Sequence, residues 1–353
     1  MVATLDIKIN KVAKSRVSEM DFHHIEFAKQ YSDHMFIADY DGKDWGSLRI
    51  VPYENISLSP ANPAIHYGQS IFEGLKGYKK DNNDILIFRP EKNFQRMNIS
   101  ADRMMMPTLP KEIFMEGLHA LIDIDRNWVP DIEGTSLYIR PFMFATDEYI
   151  GVRPSDTFRF MIITCPVGAY YSKPVKVRIE EHYTRAVKGG TGFAKTAGNY
   201  AASLYPANLA QKDGYDQLIW TDGQSHKFIE ESGTMNILFV IDDTLITAPV
   251  GDTILDGITR ESVLDLARDW GMKVEIRPFE VAELMNAIEN NTLQEAFGVG
   301  TAATIAHIEV IGYRGKDYRL DLEKRKFSVK VLDYLNTLRT GKVEDKFNWN
   351  YIV

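Results

Sequence analysis

Short apolar and alternating runs along the chain predict strands at 35–40, 85–89, 136–145, 158–167, 175–179, 217–221, 237–241 and 273–277. Helical spacing instead joins Phe114, Leu118, Leu121 and Ile122, and again Val263, Leu264, Ala267 and Trp270, with Gly271 in position to stop the second helix. Consecutive strands with few helices between them favour an α+β fold over a doubly wound sheet. The strongly apolar run at 158–165 gives way to Pro166-Val-Gly-Ala-Tyr-Tyr-Ser-Lys-Pro174. This seam predicts two domains, 1–165 and 175–353, joined by a linker over 166–174. A cleft between two domains is where a cofactor is expected.

Composition narrows the class. The 353 residues are 44% hydrophobic and 25% charged, enough for about two domains with real cores. A net charge of −8 gives no electrostatic footprint for nucleic acid or an anionic membrane. The N-terminus lacks a basic region followed by an apolar stretch, and no segment approaches the ~20 apolar residues of a membrane span. The single cysteine, Cys165, excludes an intrachain disulfide framework and a thiolate zinc cluster. A cytoplasmic home is expected, and no metal site, because the histidines are scattered without ligand spacing.

The most informative segment is Lys188-Gly-Gly-Thr-Gly-Phe-Ala-Lys195-Thr-Ala-Gly-Asn-Tyr200. Its glycines let backbone come close to a bound group, and they present Lys195 among small residues with an aromatic hydroxyl five positions on. The chemistry suggested is a Schiff base with pyridoxal phosphate, although a lysine in such a loop also serves simply to keep it soluble. Gly257-Ile-Thr-Arg-Glu261 leads into a helix whose N-terminal N–H groups suit a phosphate, or Thr259 is a plain N-cap. Glu230 and Glu231 precede a Gly-Thr turn; one carboxylate suits a pyridine nitrogen, or both lie on a solvated strand end. Gly300-Thr301-Ala302 is either a close approach to ligand or tight packing. Arg96 either grips phosphate in bidentate fashion or is solvated.

Taken in order, the segments 66–76, 88–96, 136–141, 189–204, 231–236, 257–260 and 300–302 resemble the motifs of the branched-chain amino acid aminotransferases, which are fold-type IV pyridoxal phosphate enzymes. The length, Ala194-Lys-Thr-Ala-Gly-Asn-Tyr200 and Glu231-Ser-Gly-Thr-Met-Asn236 resemble the longer, eukaryote-like branch. The resemblance implies a two-domain α+β enzyme with pyridoxal 5′-phosphate at the domain interface. It implies reversible transamination of L-leucine, L-isoleucine and L-valine with 2-oxoglutarate; a D-amino acid aminotransferase or aminodeoxychorismate lyase of the same fold is the alternative.

Position by position, the resemblance makes Lys195 the catalytic lysine, Glu231 the partner of the pyridine nitrogen and Tyr200 the partner of the cofactor O3′. Arg96, Ile258, Thr259 and Thr301 are implied phosphate ligands. Tyr67, Phe72, Tyr138, Tyr170, Thr234 and Met235 are implied to line the substrate pocket, with Ala302 at the α-carboxylate and Arg140 at its rim for the distal carboxylate of glutamate. Ile150 and Val152 are implied to reach a partner subunit's site, hence a homodimer. Ala303-Thr-Ile-Ala306 stands where some members carry a Cys-x-x-Cys pair, so no thiol switch is expected there. Lys76 is assigned no role.

Overall fold

The computed structural model describes residues 5–26, 28–168 and 173–353. The chain groups into two compact units, one comprising Met1–Tyr170, Ala194–Ala197 and Asn336–Val353, the other Tyr171–Phe193 and Gly198–Leu335. The linear ranges expected from the seam at 166–174 therefore differ from the observed grouping in two places. The last residues return to the first unit, where Asn350–Ile352 pairs antiparallel with Ile85–Phe88. Four residues around Lys195 return as well.

In the first unit a nine-stranded sheet runs Lys8–Ile9, Trp45–Pro52, His34–Tyr40, Phe158–Val167, Ser136–Ala145, Leu75–Lys79, Ile85–Phe88 and Asn350–Ile352, with Ser70–Phe72 also pairing on Ser136–Ala145. Its two long central strands pair antiparallel from Ser136↔Val167 to Ala145↔Phe158 and have the bounds that their apolar runs predict. The predicted strand 85–89 stops at Phe88, because Arg89 takes a positive φ of 49° and Pro90 then opens a helix. Helices α1 (Pro63–Tyr67), α2 (Pro90–Arg103) and α3 (Lys111–Ile124) belong to this unit. Phe114, Leu118, Leu121 and Ile122 of α3 are all buried in its core with Phe36 and Phe160. Gly117 is required where the helix meets the sheet, since a Cβ there would lie 2.6 Å from the Phe36 ring.

Among the described residues the sheet of the second unit also has nine strands. Six of them close into a barrel in the order Ile229–Ser232, Gln217–Thr221, Val175–Ile179, Thr304–Tyr313, Leu293–Gly300 and Met235–Ile241, and the ring is completed by Glu231↔Asn236 and Ser232↔Met235. Closure removes the free edges of those strands. Helix α4 (Ala197–Lys212) belongs to this unit apart from its first residue, α5 (Ile258–Asp269) and α6 (Val281–Glu289) do so entirely, and α7 (Phe327–Arg339) does so up to Leu335. Of these, α5 ends as its sequence predicts, with Gly271 at a φ of 74° just beyond the cap. By contrast α4 has no apolar stripe and contains Pro206, so periodicity gives no sign of it. Among the described residues no helix is long and apolar enough to cross a membrane.

Candidate active site

Lys195 is fixed through its main chain. Its N–H donates to the Ser100 Oγ of α2 at 2.9 Å, and its carbonyl accepts from the Phe72 N–H at 3.0 Å. The Thr196 hydroxyl donates to the Ser70 carbonyl at 2.8 Å, so the segment lies along the strand Ser70–Phe72 like an added rung. Its ammonium stands 5.0 Å from the centre of the half-buried Phe72 ring. The preceding glycines do something other than expected. A Cβ at Gly190 would lie 2.8 Å from the Val187 carbonyl oxygen, and one at Gly192 would lie 2.6 Å from Ala186 Cβ and the Asp252 carbonyl oxygen. These two positions are small because protein packs on them. Asn199, in the first turn of α4, ties the loop down by exchanging bonds of 2.7 Å with the Thr191 hydroxyl and carbonyl.

Phe72 also meets Arg140, whose guanidinium lies 4.6 Å from the Phe72 ring centre and 5.3 Å from that of Tyr138. Arg140 Nη2 donates to the Tyr138 hydroxyl at 2.8 Å, while its buried Nε has no partner among the described residues. Gly74 leaves room for Tyr138, because a Cβ there would collide with the phenol oxygen. The implied pocket residues Phe72, Tyr138 and Arg140 are thus brought together with Lys195. Tyr67, the last residue of α1, is 42% exposed, and Ile150 and Val152 are 65% and 91% exposed on a loop. Tyr170 lies outside the described residues.

The expectation that Arg96 offers a bidentate face to an anion needs correction. Its Nε and Nη2 grip Glu73 at 2.8 and 2.7 Å, and Asn93 Nδ2 donates to the same carboxylate at 2.7 Å. Glu73 is fully buried, and a buried carboxylate needs this many donors. It sets the plane in which the guanidinium is held.

In the second unit, Glu231 lines a cavity with Arg185, Asn199, Tyr200, Ser203, Gly233, Thr234 and Leu255. Its Oε1 accepts from the Leu255 N–H at 2.8 Å and from Asn236 Nδ2 at 3.2 Å. Arg185 Nε stands 3.1 Å from Oε2, an ion pair whose N–H is not aimed along the contact. Glu230 does not lie on a solvated strand end either: it is buried, its Oε1 accepts from the Thr253 hydroxyl at 2.6 Å, and burial pushes its carboxyl above the usual range. Asn236 continues from Glu231 to the Leu255 carbonyl at 2.9 Å. The loop before α5 is thereby clamped to the carboxylate.

Gly257 is the N-cap of α5 and supplies no side-chain bond to the first turn, which begins with the buried Ile258 and Thr259. A Cβ at Gly257 would strike Asn236 Oδ1, so glycine is required for the clamp. Thr301 and Ala302 form the half-buried turn that joins Gly300 to Thr304 in the barrel. Thr234 is exposed, whereas Met235 is a core residue packed over Gly298 and Gly300.

The amino-transferase class IV family matches residues 70–311. Branched-chain-amino-acid aminotransferase 2 of Bacillus subtilis is 42% identical over 96% of this chain and 95% of its own. A probable branched-chain-amino-acid aminotransferase of Staphylococcus epidermidis is 45% identical over 93% of both. The crystal structure of the branched-chain aminotransferase of Thermoproteus uzoniensis with norvaline superposes with a TM-score of 0.75 at 25% identity, covering 90% of this chain and 99% of that one. The chain belongs to the branched-chain amino acid aminotransferases. This aminotransferase is a fold-type IV enzyme and uses pyridoxal 5′-phosphate. Its bacterial relatives are covered almost end to end, so a chain of this length is not confined to a eukaryote-like branch.

The donor set fits that cofactor. An ionised group needs partners when buried, and Glu231 is held by two N–H donors beside an arginine. The uncapped first turn of α5 suits a phosphate. Sequence reading passed over Glu73, Ser100, Arg185 and Asn236. Glu73 and Asn236 lie inside quoted motifs, but nothing local marks them as partners of Arg96 and Glu231; Ser100 and Arg185 have no sequence signal at all.

Lys76 is another buried cation, on the strand facing Tyr138. Desolvation, reinforced by the charge of Arg339, pushes its pKa down to about 7. The unfolded chain then binds more protons than the folded one between pH ~7 and ~10.5, so stability rises with pH across that window, and the penalty of burying this amine is complete below it. Lys76→Met is expected to stabilise the protein by roughly 2–4 kcal/mol at pH 6.5 and by much less at pH 9.5. Urea midpoints at the two pH values check this; an equal shift at both would refute it.

Proposed function

We propose that this aminotransferase exchanges the amino group of L-leucine, L-isoleucine or L-valine with 2-oxoglutarate, by a ping-pong reaction in which one pocket receives each substrate in turn. The observation that carries the reading is Arg140, a cation lodged against two aromatic rings with a buried N–H that lacks a partner among the described residues. An aromatic surface favours an aliphatic side chain at about 0.8 kcal/mol per buried methylene, and the guanidinium answers a distal carboxylate. Relatives named as branched-chain aminotransferases support the same substrate class. Steady-state rates across L-amino acids with 2-oxoglutarate test it.

When bound, pyridoxal phosphate supplies a carbonyl that links to amines and a ring that accepts electrons. Lys195 would hold this group through Nζ and, once freed from it, would carry the substrate's α-proton. Glu231 would keep a proton on the pyridine nitrogen, and Tyr200, which lines the same cavity, would donate to the ring oxygen. The phosphate would be held by the N–H groups of Ile258 and Thr259 and by the Thr301 hydroxyl, with Arg96, its Nε and Nη2 engaged by Glu73, adding positive charge rather than a bidentate grip. Tyr67, Phe72, Tyr138, Tyr170 and Thr234 would shape the side-chain pocket, with Met235 contributing from the core beneath rather than as a lining side chain, and the Ala302 main chain would meet the α-carboxylate. The protein works as a homodimer, with the exposed Ile150 and Val152 serving the other subunit.

Lys195→Ala is expected still to bind pyridoxal phosphate through its other contacts, though to release it faster, while turnover falls about ten-thousand-fold. Cofactor released by alkali, measured beside the leucine rate, checks both parts; substantial remaining turnover would refute the assignment.

Glu231→Gln is expected to slow α-proton removal roughly a hundred- to thousand-fold, since an amide holds the ring proton poorly. Glu230→Gln should change the rate by less than about threefold, because its carboxyl is turned to Thr253 and burial already weakens its charged form. Deuterium exchange at Cα reads the step directly, and the reverse order of sensitivity would move the role to Glu230.

Arg140→Met is expected to raise KM for glutamate and 2-oxoglutarate by about ten- to a hundred-fold, the worth of a charge-assisted contact, and to leave leucine within about threefold. Single-turnover measurements of the two half-reactions separate this from a structural role, which would weaken both alike.

A further inference from the structure

Ser100 occupies a place that the family assignment leaves without a function. It is fully buried in α2, and its single hydroxyl makes two bonds: it donates to the Arg96 carbonyl at 3.0 Å and accepts the Lys195 N–H at 2.9 Å. Back-bonding to the carbonyl four residues earlier is ordinary for a helical serine. Receiving a main-chain N–H from a distant loop is not part of that pattern.

The second bond closes a circuit. From Lys195 the path runs through its carbonyl to the Phe72 N–H, along one peptide bond to Glu73, across the carboxylate to the Arg96 guanidinium, and from the Arg96 carbonyl through Ser100 back to the Lys195 N–H. Every member of the circuit belongs to the first unit. Ser100 is the only link in it made by a neutral side chain, and it is the only one that joins α2 directly to Lys195.

We propose that Ser100 is a positioning residue that sets where the Lys195 amine stands relative to the Arg96 guanidinium, and so decides how tightly the cofactor is held through its carbon rather than through its phosphate. The inference rests on the reading of Lys195 as the amine that bonds pyridoxal phosphate. Removing the hydroxyl takes this acceptor from a part-buried N–H and frees the Lys195 main chain on one side, while Glu73 still holds the Arg96 side chain. The amine is then misplaced and the phosphate grip is kept. Small errors of placement at a reacting atom carry large consequences for rate and bonding.

Pyridoxal phosphate and pyridoxamine phosphate separate these effects, because both carry the phosphate and only the first bonds to an amine. Protein reconstituted with either form is followed as it loses cofactor on gel filtration. Ser100→Ala is expected to speed loss of pyridoxal phosphate at least tenfold and to change loss of pyridoxamine phosphate by less than twofold. Ser100→Cys, which keeps the shape with a weaker donor and acceptor, should give the same ordering with a smaller factor and serves if the alanine variant does not fold. In a Lys195→Ala background Ser100→Ala should add nothing to the loss of pyridoxal phosphate. Equal acceleration for both cofactors, or none for either, overturns the role of Ser100. If Lys195→Ala by itself leaves the loss of pyridoxal phosphate unchanged, the reading of Lys195 fails instead, and the two failures are told apart.

Discussion

A carboxylate taken out of water must be answered by donors on every side, and two such groups organise this protein. Glu73 and Glu231 are both buried almost completely. Glu73 gathers Arg96 and Asn93 in the first unit; Glu231 gathers Leu255, Asn236 and Arg185 in the second. Much of what stands around each site follows from that demand. Gly257 must be glycine because Asn236 fills the space of its Cβ, and Asn236 is there to reach Glu231 and the Leu255 carbonyl together. The start of α5 is thereby pinned in register with the carboxylate. Preorganisation of this kind is what an electrostatic site requires, since groups already in place need not rearrange as charge develops.

Selectivity follows a different logic. An apolar side chain and a carboxylate make opposite demands on one pocket, and a bare cation would reject the first as surely as a bare apolar wall rejects the second. In the function proposed above, Arg140 is the compromise. Its guanidinium lies over the rings of Phe72 and Tyr138, which an aliphatic chain tolerates, while its Nε–H is left to donate. A lysine at this position would concentrate the same charge in a hydrated point and stack on nothing.

Much of the fold is legible from the sequence, because core strands with continuous apolar runs declare their own limits. The strands Ser136–Ala145, Phe158–Val167, Val175–Ile179 and Gln217–Thr221 begin and end where their residues suggest. α4 is not legible, since its residues show no periodic stripe and its first turn sits within a glycine-rich stretch that reads as loop. The same division holds for the site. Lys195 and Glu231 announce themselves through unusual neighbours, whereas Ser100 and Arg185 lie far along the chain from the groups they touch and carry no local mark. Gly190 and Gly192 do mark a close approach, but to the protein's own atoms and not to the bound group that the sequence suggests. Sequence shows that something must come near, and only the fold shows what.

The central claim is that Lys195 is the amine to which the cofactor is joined. Borohydride reduction of the holoenzyme followed by peptide mapping tests it most directly. The account predicts one phosphopyridoxyl group per chain, carried on the peptide that contains Lys195. Label on any other lysine, Lys76 and Lys188 included, or a chain that takes up no label while it holds the cofactor, would contradict it.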